Sequence, residues 1–183
     1  MEKLILNYSK EGIANIIGKK GKKKKDIEKF LKVKLKVEEG KITIDKTKCK
    51  LNDFELENIF DALAMGFSVK EVLLLKDPNY IFERINLKAR LRPTRRRIIK
   101  ARIIGKAGKI KRLLEEITNC YMKIFGNYIG IIGEAENVAI AKRAIEMLIQ
   151  GRSHTSMQKW LEHAKTKLEE LKEITEEQLK ELE

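Results

Sequence analysis

Cysteine, proline and histidine are each present only twice in 183 residues. Cys49 and Cys120 lie far apart and match no metal-ligand spacing, so neither a metal site nor a disulfide framework is indicated, in keeping with a reducing compartment. His154 and His163 fall near the C-terminal end, far in sequence from both cysteines, and no His/Glu metal spacing or nucleophile elbow occurs. These absences argue against catalysis, a metal or a cofactor. No uninterrupted apolar run exceeds a few residues, so no helix is expected to span a membrane. The N-terminal stretch becomes polar too soon for a signal peptide. The expectation is a cytoplasmic, non-catalytic protein without a membrane partner.

Positive charge is what the chain has in excess. Its net charge is +13 and 37% of its residues are charged, against about 25% in ordinary globular domains. Such a balance favours a polyanionic partner, nucleic acid before an anionic membrane surface. The abundance of Lys, Glu and Ile with few Gln matches the composition of hyperthermophile proteins.

The strongest organising feature is a repeat. Residues 16–44 and 103–131 align without a gap at an offset of 87. Ile16-Ile17-Gly18-Lys19-Lys20-Gly21 matches Ile103-Ile104-Gly105-Lys106-Ala107-Gly108, and Ile27, Phe30, Val37, Ile42 and Ile44 meet Leu114, Ile117, Ile124, Ile129 and Ile131. Around this kernel each copy reads as strand, helix, helix, strand, strand, helix. In the first, a strand at 4–8 precedes a helical stretch to Gly18, a Lys22–Leu31 helix with Ile27, Phe30 and Leu31 inward, and a strand alternating Val33, Leu35 and Val37. Glu39-Gly40 turns into a return strand, and Asp53 is expected to cap a helix to about Met65. Ser68 is expected to cap a short linking helix, broken at Asp77-Pro78. The second copy starts with a strand at 81–87. Arg90–Arg97 is expected as a basic loop around Pro93. Helices at 109–118 and 135–150 then flank strands at 121–125 and 128–132. Thr155 and Gln158 fit a capping box for a final helix. Its stripe of Leu161, Ala164, Leu168, Leu171, Ile174 and Leu182 is expected to pack on the body of the protein, or else to bind a partner.

Charge concentrates around the two glycine turns. Residues 90–112 hold eleven Lys or Arg and no acid, and residues 19–25 hold six lysines. A solvated face would intersperse acids. Gly18, Gly21, Gly105 and Gly108 have no side chain, so a sugar–phosphate strand can lie against the backbone there. Lys19, Lys20, Lys22, Lys106, Lys109 and Arg112, with Arg95, Arg96, Arg97 and Arg102 on the approach, supply phosphate-neutralising charge. Ala107 keeps the second turn small, and Ile103 or Ile104, Ile110 and Ile124 are candidates for an apolar floor under bases. Neither turn is a Walker loop, because the Lys-Ser/Thr ending is missing.

A repeated Gly-x-x-Gly between helical patterns, followed each time by two strands and a helix, resembles a pair of type I KH domains. The resemblance implies an α+β fold with two tandem βααββα modules, each a three-stranded antiparallel sheet against three helices. It also implies a loop that clamps about four single-stranded nucleotides. The expected division is a first KH domain at 1–66, a link at 67–79, a second KH domain at 80–151 and a C-terminal amphipathic helix at 152–183. The Gly66-Phe67 pair, the Val72–Leu75 helix and the Ile103–Lys109 run are similar to the archaeal relatives of the ribosome-assembly protein Dim two, or partner of Nob one. That likeness implies single-stranded RNA binding near the 3′ end of small-subunit (16S) ribosomal RNA during ribosome biogenesis and rRNA processing. It further implies contacts with other ribosome-assembly or translation-initiation proteins. A KH protein-interaction scaffold and an accessory subunit of an RNA-degrading complex are the alternatives. The Arg-rich second module is the better-matched half.

Overall fold

The computed structural model describes residues 3–180, with side chains for residues 3–174. Strand β1 (Lys3–Asn7) is followed by α1 (Lys10–Ile17), α2 (Lys22–Leu31), β2 (Lys34–Glu38), β3 (Lys41–Asp45) and α3 (Asp53–Ala64). A short α4 (Val69–Leu73) leads to β4 (Tyr80–Asn86), α5 (Pro93–Ile104), α6 (Lys109–Thr118), β5 (Tyr121–Phe125), β6 (Tyr128–Glu134) and α7 (Ala135–Ile149). Helix α8 (His154–Lys180) follows. The first sheet has the order β1–β3–β2 and the second β4–β6–β5. In the first sheet both pairings are antiparallel, with Leu4 and Leu35 flanking Ile44, and Leu6 and Val37 flanking Ile42. The fold is therefore α+β, two βααββα modules with a C-terminal helix.

Packing divides the described residues into two compact units, 3–85 with 123–132, and 86–122 with 133–180. In the first unit, Ile16, Ile27, Ile42, Ile44, Leu56, Ile59, Phe60, Leu63 and Phe67 form one buried cluster. All but Phe67, which lies in the connection between α3 and α4, come from apolar positions of a helical or alternating pattern, so burial of one face of each element explains the layer arrangement. Phe82 meets Phe67 edge to face, with ring centroids 6.1 Å apart. Tyr8 donates to Asp61 (2.9 Å), which also holds Arg84 (2.8 Å). In the second unit, Leu87, Ile99, Ile103, Leu114, Met122, Val138, Ala141, Ile145, Leu148, Met157 and Leu161 are buried.

The repeat extends to individual hydrogen bonds. Glu28 accepts the Leu35 N–H at 2.8 Å, and Glu115, 87 residues on, accepts the Met122 N–H at 2.8 Å. Each carboxylate ties the second helix of its module to the following strand, and a bond to a charged acceptor of this kind contributes about 1.5–3 kcal/mol. Gly66 and Gly151 both close a long helix at φ +97. Both helices end in the same bond pattern, Phe67 N–H to Ala62 O and Arg152 N–H to Met147 O, the Schellman arrangement.

Several local expectations change. Asn52, not Asp53, caps α3, forming a capping box with Glu55. Arg90–Arg97 is not a single loop: α5 begins at Pro93, where the missing N–H of proline costs nothing. Phe30 points outward instead of into the core (53% exposed). Helix α8 starts before Thr155, with the Ser153 hydroxyl accepting the Ser156 N–H. Its stripe is buried at Leu161 but half exposed at Leu171 and Ile174; Leu182 lies outside the described residues.

Candidate nucleic-acid interface

The two glycine turns adopt one backbone conformation. Gly18 and Gly105 have φ/ψ of 68/179 and 72/174, a region open in practice to glycine alone. Lys20 (φ 51, ψ 28) and Ala107 (φ 50, ψ 30) sit in the left-handed region, as do Gly21 (74, 12) and Gly108 (76, 13). Holding an L-residue there costs about 1–3 kcal/mol, and both copies bear that cost at the same place. The amide of Gly105 donates to Ala101 O at 2.8 Å, that of Gly108 to Gly105 O at 3.2 Å, and Gly18 and Gly21 repeat both bonds.

The two glycines of each turn do different work. A Cβ on Gly105 would lie 2.5 Å from Ile110 Cγ1 and 2.9 Å from its backbone N. Gly105 is therefore a packing glycine. A Cβ on Gly108 or Gly21 would meet nothing within 4 Å. The second glycine thus leaves open space over the backbone at the start of the following helix. No side chain caps α2 or α6 and neither has an acid in its first turn, so the helix amides and the positive end of the dipole are left for an external anion.

The basic residues separate into two groups. Lys106 and Lys109 are exposed and, among the described residues, their side chains make no hydrogen bond or ion pair; the same holds for Lys19, Lys20 and Lys22. Arg97 is likewise exposed and unpaired among the described residues, and Arg96 is half-buried, both on the first turns of α5. Others are committed elsewhere. Arg102 donates to Leu148 O (3.0 Å) and Arg152 O (2.5 Å), and Arg95 to Ile149 O (3.3 Å), so both close the C-terminal end of α7. Arg112 donates to Ala107 O at 3.0 Å and braces the turn itself. Lys23 donates to Phe67 O at 2.9 Å, and burial holds its ammonium below its ordinary pKa. Of the apolar floor candidates, Ile103 is fully buried, Ile104 is 38% exposed beside the turn, and Ile110 and Ile124 are half-buried.

Sequence reasoning missed the clamp of α7 by Arg102 and Arg95. Its only sequence signal is a run of arginines opposite a helix C-terminus, where cations are favoured.

Residues 81–166 match the family model described as a eukaryotic type KH-domain, KH-domain type I. A KH domain-containing protein of Methanocaldococcus jannaschii is 38% identical over 169 residues, covering 90% of this chain and 74% of that protein. The pre-rRNA-processing protein PNO1 of Chaetomium thermophilum is 28% identical over 128 residues, and the match spans 49% of its length. Among solved structures, Dim2p of Pyrococcus horikoshii has a TM-score of 0.77 at 32% identity, covering 89% of this chain and 99% of that one. The complex of a/eIF2alpha, aDim2p and rRNA from the same organism matches with a TM-score of 0.80 at 30% identity, over 91% of this chain and 95% of that one.

Proposed function

The chain belongs to the family of archaeal Dim2p, and we propose that it binds single-stranded RNA through its Gly-x-x-Gly turns, near the 3′ end of 16S ribosomal RNA during small-subunit maturation. One observation carries the reading: both turns hold the same strained backbone next to open space, flanked by lysines with no partner among the described residues. A phosphate backbone fits that space, with helix amides on one side and ammonium groups around it. Bases would then rest near Ile104. The second module is the principal site, and the modules at 1–66 and 80–151 act together so that two weak contacts raise avidity.

The reading makes the chain a binding protein and not an enzyme, working in the cytoplasm alongside the translation-initiation factor that the Pyrococcus complex contains. The test is a mobility shift with a labelled 16S 3′-end oligonucleotide, a scrambled strand and a duplex of the same sequence. Preference for the 3′-end single strand, with affinity falling steeply with salt, is expected. Equal binding to the duplex would overturn it.

A further inference from the structure

The repeat exposes a surface in the first module that the second module keeps covered. In the second unit, α8 leaves the Gly151 turn under the Ser153 hydroxyl and packs along α6 and α7, burying Met157 and Leu161. In the first, α4 leaves the Gly66 turn under the Ser68 hydroxyl, packs against α2 and α3 in the same way, and buries Val72, which stands at the position of Met157. There the likeness stops. Helix α4 has five residues and α8 has 27. The chain turns away through Leu74–Lys76, and the position of Leu161 is taken by Lys76. No described element of the first unit continues along α2 as α8 continues along α6.

The consequence is visible at Phe30. Its repeat partner Ile117 lies beside α8, in a hollow with Glu162, Lys165, Thr166 and Glu169 of that helix on its wall. Phe30 itself is 53% exposed, at the mouth of a cavity of about 250 Å³ lined also by Cys49 and Leu51. Around it stand Lys32, Lys48 and Lys50, which make no side-chain hydrogen bond or ion pair among the described residues, and no acid lines it. Phe30 lies nine residues beyond Gly21, about 13 Å along the helix axis, so this surface is separate from the glycine turn.

We propose that the Phe30 cavity is a docking groove for an acidic amphipathic helix of a partner protein, which occupies on the first module the place that α8 occupies on the second. The second module supplies the form of the occupant, a helix laid along the Gly-x-x-Gly helix. The lysine rim supplies its charge. Apolar residues at helical spacing would seat on Phe30 and Leu51, the helix-in-groove mode of recognition.

The probe is a fluorescein-labelled synthetic peptide of residues 154–174 with Lys159→Glu, Lys165→Glu, Lys167→Glu and Lys172→Glu, titrated into the full chain and followed by anisotropy. Saturable binding is expected, weakened about tenfold or more by Phe30→Ala and by Lys48→Glu with Lys50→Glu, while the mobility shift of RNA is unchanged by Phe30→Ala. Alkylation of Cys49 in the unaltered chain, followed by mass spectrometry, should slow when the peptide is bound, which reports occupancy without any substitution. No binding, or binding indifferent to Phe30→Ala, would overturn the proposal. So would protection of Cys49 by single-stranded RNA that Phe30→Ala abolishes, which would make the cavity a nucleic-acid contact.

Discussion

The two glycine turns have the same backbone but are stitched into their modules by different chemistry. Behind Gly105 stands Ile110, a stiff β-branched wall; behind Gly18 stands the stem of Lys23, with Cγ 2.7 Å from a would-be Cβ. Around the second turn, arginines are divided between bracing the protein and facing solvent. Around the first, a single lysine is committed, to Phe67 O, and Lys19, Lys20 and Lys22 stand free among the described residues. The lesson is that charge density along a sequence overstates the charge offered to a ligand. Of the eleven cations in residues 90–112, Arg102, Arg95 and Arg112 hold backbone carbonyls, and Arg90 and Lys111 are paired with Glu146 and Glu115.

This comparison can be pressed experimentally. The largest expected effect is on RNA affinity: Lys106→Asp with Ala107→Asp should weaken oligonucleotide binding by at least about tenfold, whereas Lys19→Asp with Lys20→Asp should cost less. Mobility shifts with circular dichroism as folding control measure both, and an equal or larger loss at the first turn would reverse the ranking. Next comes stability. Gly105→Ala should cost about 2–4 kcal/mol, combining a forbidden dihedral with a clash against Ile110. Gly18→Ala should cost less because the Lys23 stem can move, and Gly108→Ala should cost only about 1 kcal/mol; chemical denaturation orders the three. Arg102→Ala should lower stability by about 1–3 kcal/mol by leaving the carbonyls at the end of α7 unsatisfied, with little change in RNA binding once folding is matched. A large affinity loss without destabilisation would return Arg102 to the interface. Smallest is the contrast between the thiols. Cys120 is buried, which raises its pKa, so Cys49 should alkylate first, as peptide mapping would read directly.

Much of this was legible in the chain. The offset of 87, the glycines and the order of elements depend on local pattern, and the helix and strand periods carried them. The failures share a cause. Phe30 fits the helical stripe of Ile27 and Leu31, yet whether a stripe position is covered depends on a neighbouring element, and in the first module α4 ends too soon. The bracing role of Arg102 and Arg95 was hidden for the same reason, because the carbonyls they satisfy arrive from a helix about fifty residues away. The start of α5 was available locally, since Pro93 is a favoured first helical residue, but the density of arginine made the segment look like a loop. At the cap of α3, Asn52 and Asp53 are adjacent good candidates, and only the reciprocal bond from Glu55 decides between them.

The account rests on RNA lying against the peptide backbone of the glycine turns. A 16S 3′-end oligonucleotide carrying 4-thiouridine, photo-crosslinked to the full chain and mapped by mass spectrometry of the proteolytic peptides, tests this directly. Crosslinks within residues 104–112, with weaker ones at 18–25, are the predicted result; crosslinks confined to residues outside both turns would contradict it.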